Sequence, residues 1–190
     1  MNALRADAAR SRERILEVAR RSDPKDLRLN EIAREAGVGV GTVYRHFPTS
    51  HALVEELTVE TLGRLRALTA QACADPDPGR GFEVALRAVV DLHLEAGGLQ
   101  AVLLANEDVS EEVAALKASI FGELEGLLQR AQGSGALRGD LTTAQVERLV
   151  CGIEHAIRLG GPEDRDVFVD TLVAGLRPTA SPATGATSTR

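Results

Sequence analysis

The chain has 190 residues, room for one compact domain or two small ones, which excludes a large multidomain enzyme. Hydrophobic residues make up 44% and aromatics only 3%, with no Trp, so a core must be built from Leu, Val, Ile and Ala, a palette that favours helix packed on helix. The net charge of −6 argues against a nucleic-acid partner until the chain is split after Ser50: residues 1–50 hold ten Lys and Arg against seven Asp and Glu (+3), and residues 51–190 hold twelve against twenty-one (−9). A basic head on an acidic body would turn one end toward phosphates. Three excess charges also fit an ordinary solvated surface, so the motifs have to decide.

No apolar run approaches the roughly 20 residues needed to cross a bilayer. Arg5, Asp7, Arg10 and Arg12 leave no secretory apolar stretch at the N-terminus, so a cytoplasmic location is expected. Cys73 and Cys151 form no CxxC pair, and neither a disulfide framework nor a zinc site is indicated.

Nearly every segment has helical period, and none shows sustained apolar/polar alternation, so the expected class is all-α with about nine helices. The first helix spans 8–21, with Ile15, Val18 and Ala19 inward, and stops before Pro24. A short second helix covers 29–36 and ends at Gly37, suited to a left-handed cap; a third runs from 39 or 40 to 47, just before Pro48. The fourth is long, 50–74, with a stripe of Leu53, Leu57, Thr61, Leu65, Leu68 and Ala72. After a Pro- and Asp-rich break, a fifth covers 81–96, with Phe82, Leu86, Val89 and His93 on one stripe. Shorter and longer helices follow at 99–105 and 110–132. The last two, 143–159 and 162–176, are strongly apolar, and residues 178–190 read as a disordered tail. The expected division is a head, 1–49, and a body, 50–177.

The second and third helices have helix-turn-helix spacing. Ile32, Ala33 and Ala36 supply small or apolar contacts, Val38 plugs the turn, and Val43 with Phe47 gives the second of the pair an inward face. Val40, Gly41, Thr42, Tyr44, Arg45 and His46 remain outside, with groups able to reach phosphate oxygens or base edges. A nucleotide loop built on Gly37, Gly39 and Gly41 is disfavoured, because the spacing is not GxGxxG and no strand precedes it. A purely structural helical hairpin is the other alternative.

The stretch IAREAGVGVGTVYRHFPTSHAL, from Ile32 to Leu53, resembles the DNA-binding signature of TetR-like transcriptional regulators, and the resemblance extends over residues 15–57. The GVGVGTVYRHFPT wording and GALRGDLT, from Gly135 to Thr142, resemble the SbtR-like branch. The resemblance implies a homodimer formed through the last two long helices and a palindromic double-stranded operator. It also implies an unknown small-molecule effector in the body whose binding releases DNA, and hence a repressor. Carried over by position, Thr42, Tyr44 and His46 would hold phosphates; Arg45, Val40 and Asn30 would lie nearest base edges; Arg28 would reach the backbone, and Gly41 would allow close approach. Gly39, Val40 and Ser50 stand where the family commonly has Ser, a polar residue and Lys, which implies weaker phosphate binding. That departure keeps open an alternative: an all-α small-molecule-binding protein with weak or lost DNA binding.

In the body, His93 on an apolar stripe is an effector-binding candidate beside the alternative of a core histidine bonded to a neighbour. Asn106 and Phe121 are further candidates. Cys151 and His155, spaced i,i+4, suit dimer packing better than a metal pair. No GxSxG, HExxH, Walker A or paired-carboxylate motif occurs, so no catalytic residue, cofactor or metal is expected and the chain does not read as an enzyme.

Overall fold

A computed structural model describes residues 2–178; residues 179–190, which cover all but the first position of the expected tail, lie outside the described residues. Among the described residues the secondary structure is helical throughout: α1 (Asn2–Ala19), α2 (Leu29–Glu35), α3 (Val40–His46), α4 (Ser50–Cys73), α5 (Pro78–Glu95), α6 (Leu99–Leu103), α7 (Glu111–Gly133), α8 (Thr143–Gly160) and α9 (Arg165–Leu176). Two short 3-10 turns, Pro24–Asp26 and Pro162–Asp164, complete it.

Local chemistry accounts for most helix ends. α1 begins six residues earlier than expected, because the stretch from residue 3 to residue 10 is rich in Ala, Leu and Arg, all strong helix formers, and Asp7 pairs with Arg10 at 3.2 Å. Gly37, at φ +62°, closes α2: its N–H donates to Arg34 O and the Val38 N–H to Ala33 O, the paired bonds of a Schellman cap. α5 starts three residues before the expected position. Proline has no N–H to lose in a first turn, so Pro78 opens the helix while the Asp77 carboxylate accepts from Gly79 and Arg80 N–H at 2.9 and 3.2 Å. Thr142 and Gln145 form a reciprocal capping box at the start of α8. The segment expected as one helix over 162–176 is split into a 3-10 turn and α9.

Two apolar clusters make the core. One joins Ile15, Ile32, Ala33, Val43 and Phe47 of the head to Leu53, Leu62 and Leu65 of α4 and continues into α5, α6 and α7. The other packs α5 and the second half of α7 against α8 and α9 through Phe82, Leu86, Leu127, Val150, Val169 and Leu176. The head therefore shares its hydrophobic interior with the body rather than hanging from a linker.

The expected face of α4 needs correction. Its buried side chains include Val54, Thr58, Leu62, Leu65, Thr69 and Ala72, whereas Leu68 is exposed and Leu57 and Thr61 only half-buried. The two threonines enter the core because each hydroxyl donates to a carbonyl of its own helix, Thr58 to Val54 O at 3.0 Å and Thr69 to Leu65 O at 2.9 Å. A hydropathy stripe does not register such locally satisfied polar groups.

Head and body also meet at a glycine turn. Gly98 adopts φ +91°, and a Cβ there would lie 2.9 Å from Val54 and 3.1 Å from Pro24. Only glycine accepts both the backbone conformation and the close approach.

Candidate nucleic-acid interface and effector chamber

On α3, Val43 is fully buried and Phe47 follows it inward, so the opposite side of this two-turn helix faces solvent. Val40, at the first helical position, and Tyr44, one turn on, are each 46% exposed, large for an apolar and an aromatic side chain. Gly41 and Arg45 are exposed; Thr42 and His46 are half-buried, His46 with its ring centroid 6.3 Å from that of Phe47. Arg45 lies back along its own helix, donating to Gly41 O at 3.1 Å and Thr42 Oγ1 at 3.0 Å.

Tyr44 shares a concave surface with Arg28 and Asn30 at the start of α2 and with Pro48, Thr49 and Ser50 at the α3–α4 turn. The sequence candidates thus form two groups: Arg28, Asn30 and Tyr44 in this hollow, and Val40, Gly41, Thr42, Arg45 and His46 along α3. Ser50 Oγ donates to Leu27 O at 2.9 Å, tying the start of α4 to the loop before α2. Arg12 of α1 braces the assembly from behind, its guanidinium 5.7 Å over the Phe47 ring and 2.5 Å from Glu56.

The body holds a cavity of about 50 Å³ between helices α4–α8, lined by apolar side chains, including Leu65, Phe82, Leu86, Phe121 and Val150, with three polar ones, His93, Thr143 and Glu147. Of the sequence candidates, His93 and Phe121 line it. Asn106 does not: it is exposed in the turn after α6, because α6 stops at Leu103 instead of running on to 105.

His93 is 1% exposed, and neither ring nitrogen has a partner within hydrogen-bonding distance. Its Nδ1 lies 3.7 Å from Glu154 Oε2, an oxygen that also lacks a partner; the other Glu154 oxygen accepts from Arg158 Nε at 2.6 Å. Burial pushes the His93 pKa down, against the pull of Glu154 and helped by Arg158, so the ring is held neutral. Glu147 presents one buried oxygen with no donor, and burial raises its pKa against Lys117 and Arg148. Sequence reasoning missed Glu147 and Glu154. They are seven residues apart on α8, interleaved with the buried Val146, Val150 and Ile157, a spacing that marks acids on the inner face.

Cys151 is buried within its own chain, and burial raises its thiol pKa; His155 alone of that pair is exposed.

Near the head, two buried charges hold the α6–α7 loop. Glu55 accepts from Val109 N at 2.7 Å and Ser110 N at 2.8 Å. Lys117 donates to Val102 O, Ala105 O and Asp108 Oδ1 at 2.8, 3.0 and 2.7 Å. His51, Glu55 and Asp108 gather possible ligand atoms within 4.8 Å, but both carboxylates are already occupied by these N–H and ammonium donors. No helix among the described residues is long and apolar enough to cross a membrane.

Comparison with known proteins agrees with this arrangement. Residues 15–57 match the family model of bacterial regulatory proteins of the tetR family, and residues 77–178 match that of the SbtR-like transcriptional regulator C-terminal domain. Among solved structures, a TetR transcription regulatory protein from Mycobacterium vanbaalenii is 32% identical over 92% of this chain and 99% of its own, with a TM-score of 0.47. The TetR transcriptional regulator SCO0520 from Streptomyces coelicolor is 30% identical over 89% and 99%, with a TM-score of 0.52. FadR from Bacillus subtilis, solved with stearoyl-CoA, shares the fold at 15% identity over 89% and 99%, with a TM-score of 0.54. No curated protein sequence matches. An exposed helix-turn-helix face, an apolar chamber in the body and two family models that together cover most of the chain give one answer: the chain belongs to the TetR family of DNA-binding transcriptional regulators, with an SbtR-like C-terminal domain.

Proposed function

We propose that the chain is a homodimeric repressor that reads a palindromic operator with α3 and releases it when a small molecule enters the α4–α8 chamber. The observation that carries the reading is the outward side of α3, where Val40, Tyr44 and Arg45 stand exposed on a helix fixed from behind by Val43 and Phe47. Arg45 turns from Thr42 and Gly41 O to a base edge; Val40 meets a thymine methyl; Asn30 adds a base-edge contact from α2. Thr42, Tyr44, His46 and Arg28 hold phosphates. Gly41 has nothing of its own chain within 4 Å of a Cβ position, which leaves room for a sugar-phosphate backbone.

Leu149 and Leu159 of α8 and Val167 of α9 are exposed, Leu159 and Val167 by 76% and 64%, and a second copy packing on these helices buries them in a four-helix interface. The two heads then sit in successive major grooves. The chamber supports release by linkage. At about 50 Å³ it is smaller than the roughly 150 Å³ that admits benzene, so an effector fits only if the helices part. An effector that binds only the parted state weakens operator binding by the same factor by which the operator weakens it.

Selection of binding sites from random duplex DNA, followed by gel shift at two salt concentrations, tests the reading. A salt-sensitive complex with a palindrome supports it. Failure to enrich any palindrome favours the second reading, a small-molecule-binding protein with lost DNA affinity, whose specific support is Ser50: its hydroxyl is committed to Leu27 O where a lysine would reach phosphate.

A further inference from the structure

Two of the chamber's three polar groups share a property that names the chemistry of its occupant, an inference that rests on reading the cavity as the effector site. Glu147 lines the cavity with one oxygen buried and without a donor. His93 lines it too, 1% exposed, with both nitrogens unpaired. The Nδ1 of His93 faces Glu154 Oε2 at 3.7 Å, so the neutral tautomer with its proton there leaves Nε2 as an acceptor. Two buried acceptors therefore share one apolar chamber in which neither is hydrogen-bonded, and the single hydroxyl of Thr143, the one neutral donor in the lining, is too few for both. Of the two cations that act on Glu147, Lys117 has its three N–H groups spent on Val102 O, Ala105 O and Asp108, and Arg148 is exposed to solvent; no lysine or arginine is among the lining residues.

We infer that the chamber takes a small lipophilic amine, whose ammonium donates to Glu147 and to His93 Nε2 while its hydrocarbon part fills the space among Leu65, Phe82, Leu86 and Phe121. An ammonium carries two or three donors and a charge opposite to that of the carboxylate, matching both acceptors at once. A lone hydroxyl has one proton and leaves an acceptor bare. A carboxylate or phosphate ligand sets its charge against Glu147 with no cation in the lining to balance it.

Three probes on one skeleton test this with the full-length protein: 2-phenylethylamine, 2-phenylethanol and 3-phenylpropionate, compared by thermal shift and titration calorimetry at pH 7. The amine is expected to raise the melting temperature with concentration and to bind about ten-fold tighter than the alcohol, the scale of one charge-assisted hydrogen bond, while the acid gives no shift. Glu147→Gln is expected to bring the amine down to the alcohol's affinity; if that variant does not fold, the three-probe comparison on the unaltered protein decides alone. Equal binding of alcohol or acid, an unchanged amine affinity in folded E147Q, or no binding by any of the three overturns the inference. Gel shift of the unaltered protein without probe reports separately on DNA binding. A protein that binds its operator but shows no preference for the amine therefore sinks this inference and leaves the regulator reading standing.

Discussion

Head and body bury different things. Across α1–α3 every buried side chain among the described residues is apolar, and the polar groups of α2 and α3 sit outside or half-outside. From α4 onward the interior takes in Glu55, Thr58, Thr69, His93, Lys117 and Glu154. A module that reads an external surface is best served by a rigid apolar interior, because its specificity depends on holding exposed groups in place. A module that must open for a ligand needs groups whose pairing can change, and burying them carries a cost that an apolar core avoids. The body's buried polar groups divide further: Glu55 and Lys117 are fully paired and fasten the α6–α7 loop, whereas His93 is left unpaired at the chamber wall.

The sharpest way to break that contrast is Lys117→Met. Removing the ammonium leaves the half-buried Asp108 and two carbonyls without this donor, and a loss of about 3 kcal/mol in urea unfolding is expected. A loss below about 1 kcal/mol would mean that the loop is not fastened by this charge. Gly98→Ala strains the head–body junction through its φ of +91° and its contacts with Val54 and Pro24; it is expected to lower stability by roughly 1–3 kcal/mol, read by the same denaturation.

Arg45→Ala touches only the head's exterior. It is expected to change folding stability by less than about 0.5 kcal/mol yet to lower operator affinity by about 1–3 kcal/mol and relax preference at one base position. Tyr44→Phe is expected to weaken all sequences alike. Unchanged affinity and preference in R45A would remove Arg45 from the interface.

The smallest effect is expected from His93→Leu. Because the imidazole makes no hydrogen bond, an apolar replacement of similar size leaves stability level or slightly raised in the ligand-free protein. The sign of its pH dependence follows from burial. The folded pKa lies below the ordinary value, so as pH falls through about 6.5 the unfolded chain takes up a proton that the folded chain resists, and stability drops. Melting curves between pH 7.5 and 5 are expected to show a steeper acid loss in the unaltered protein than in H93L. Parallel curves would show that the ring is not held neutral.

Much of the head was legible in the sequence, and the body less so. The IAREAGVGVGTVYRHF stretch announces its own turn, its inward Val43 and Phe47 and its exposed Tyr44 and Arg45, because a seven-residue helix beside a glycine cap leaves few alternatives. On α4 the same periodicity argument placed Leu57, Thr61 and Leu68 inward and passed over Thr58 and Thr69, since it weighs hydropathy and is blind to a hydroxyl satisfied by its own helix. Apolar spacing put His93 on an inward stripe and Phe121 beside the inward face of α7, and both line the cavity; Asn106, expected just beyond a helix over 99–105, lies away from it because α6 ends at Leu103.

Where most helices start and stop, and which face of α3 is left free, depends on residues within about four positions of one another, through caps, glycine turns and prolines, so the amino-acid order alone determined them; the end of α6, whose carbonyls Lys117 takes from 12 and 15 positions away, is an exception. The chamber is another matter. That His93 faces Glu154 across 61 positions, that Lys117 spends its donors on the end of α6, and that Glu147 is left without one are consequences of how five helices pack. Burial and pairing are properties of neighbours in space, and only the tertiary structure decided them.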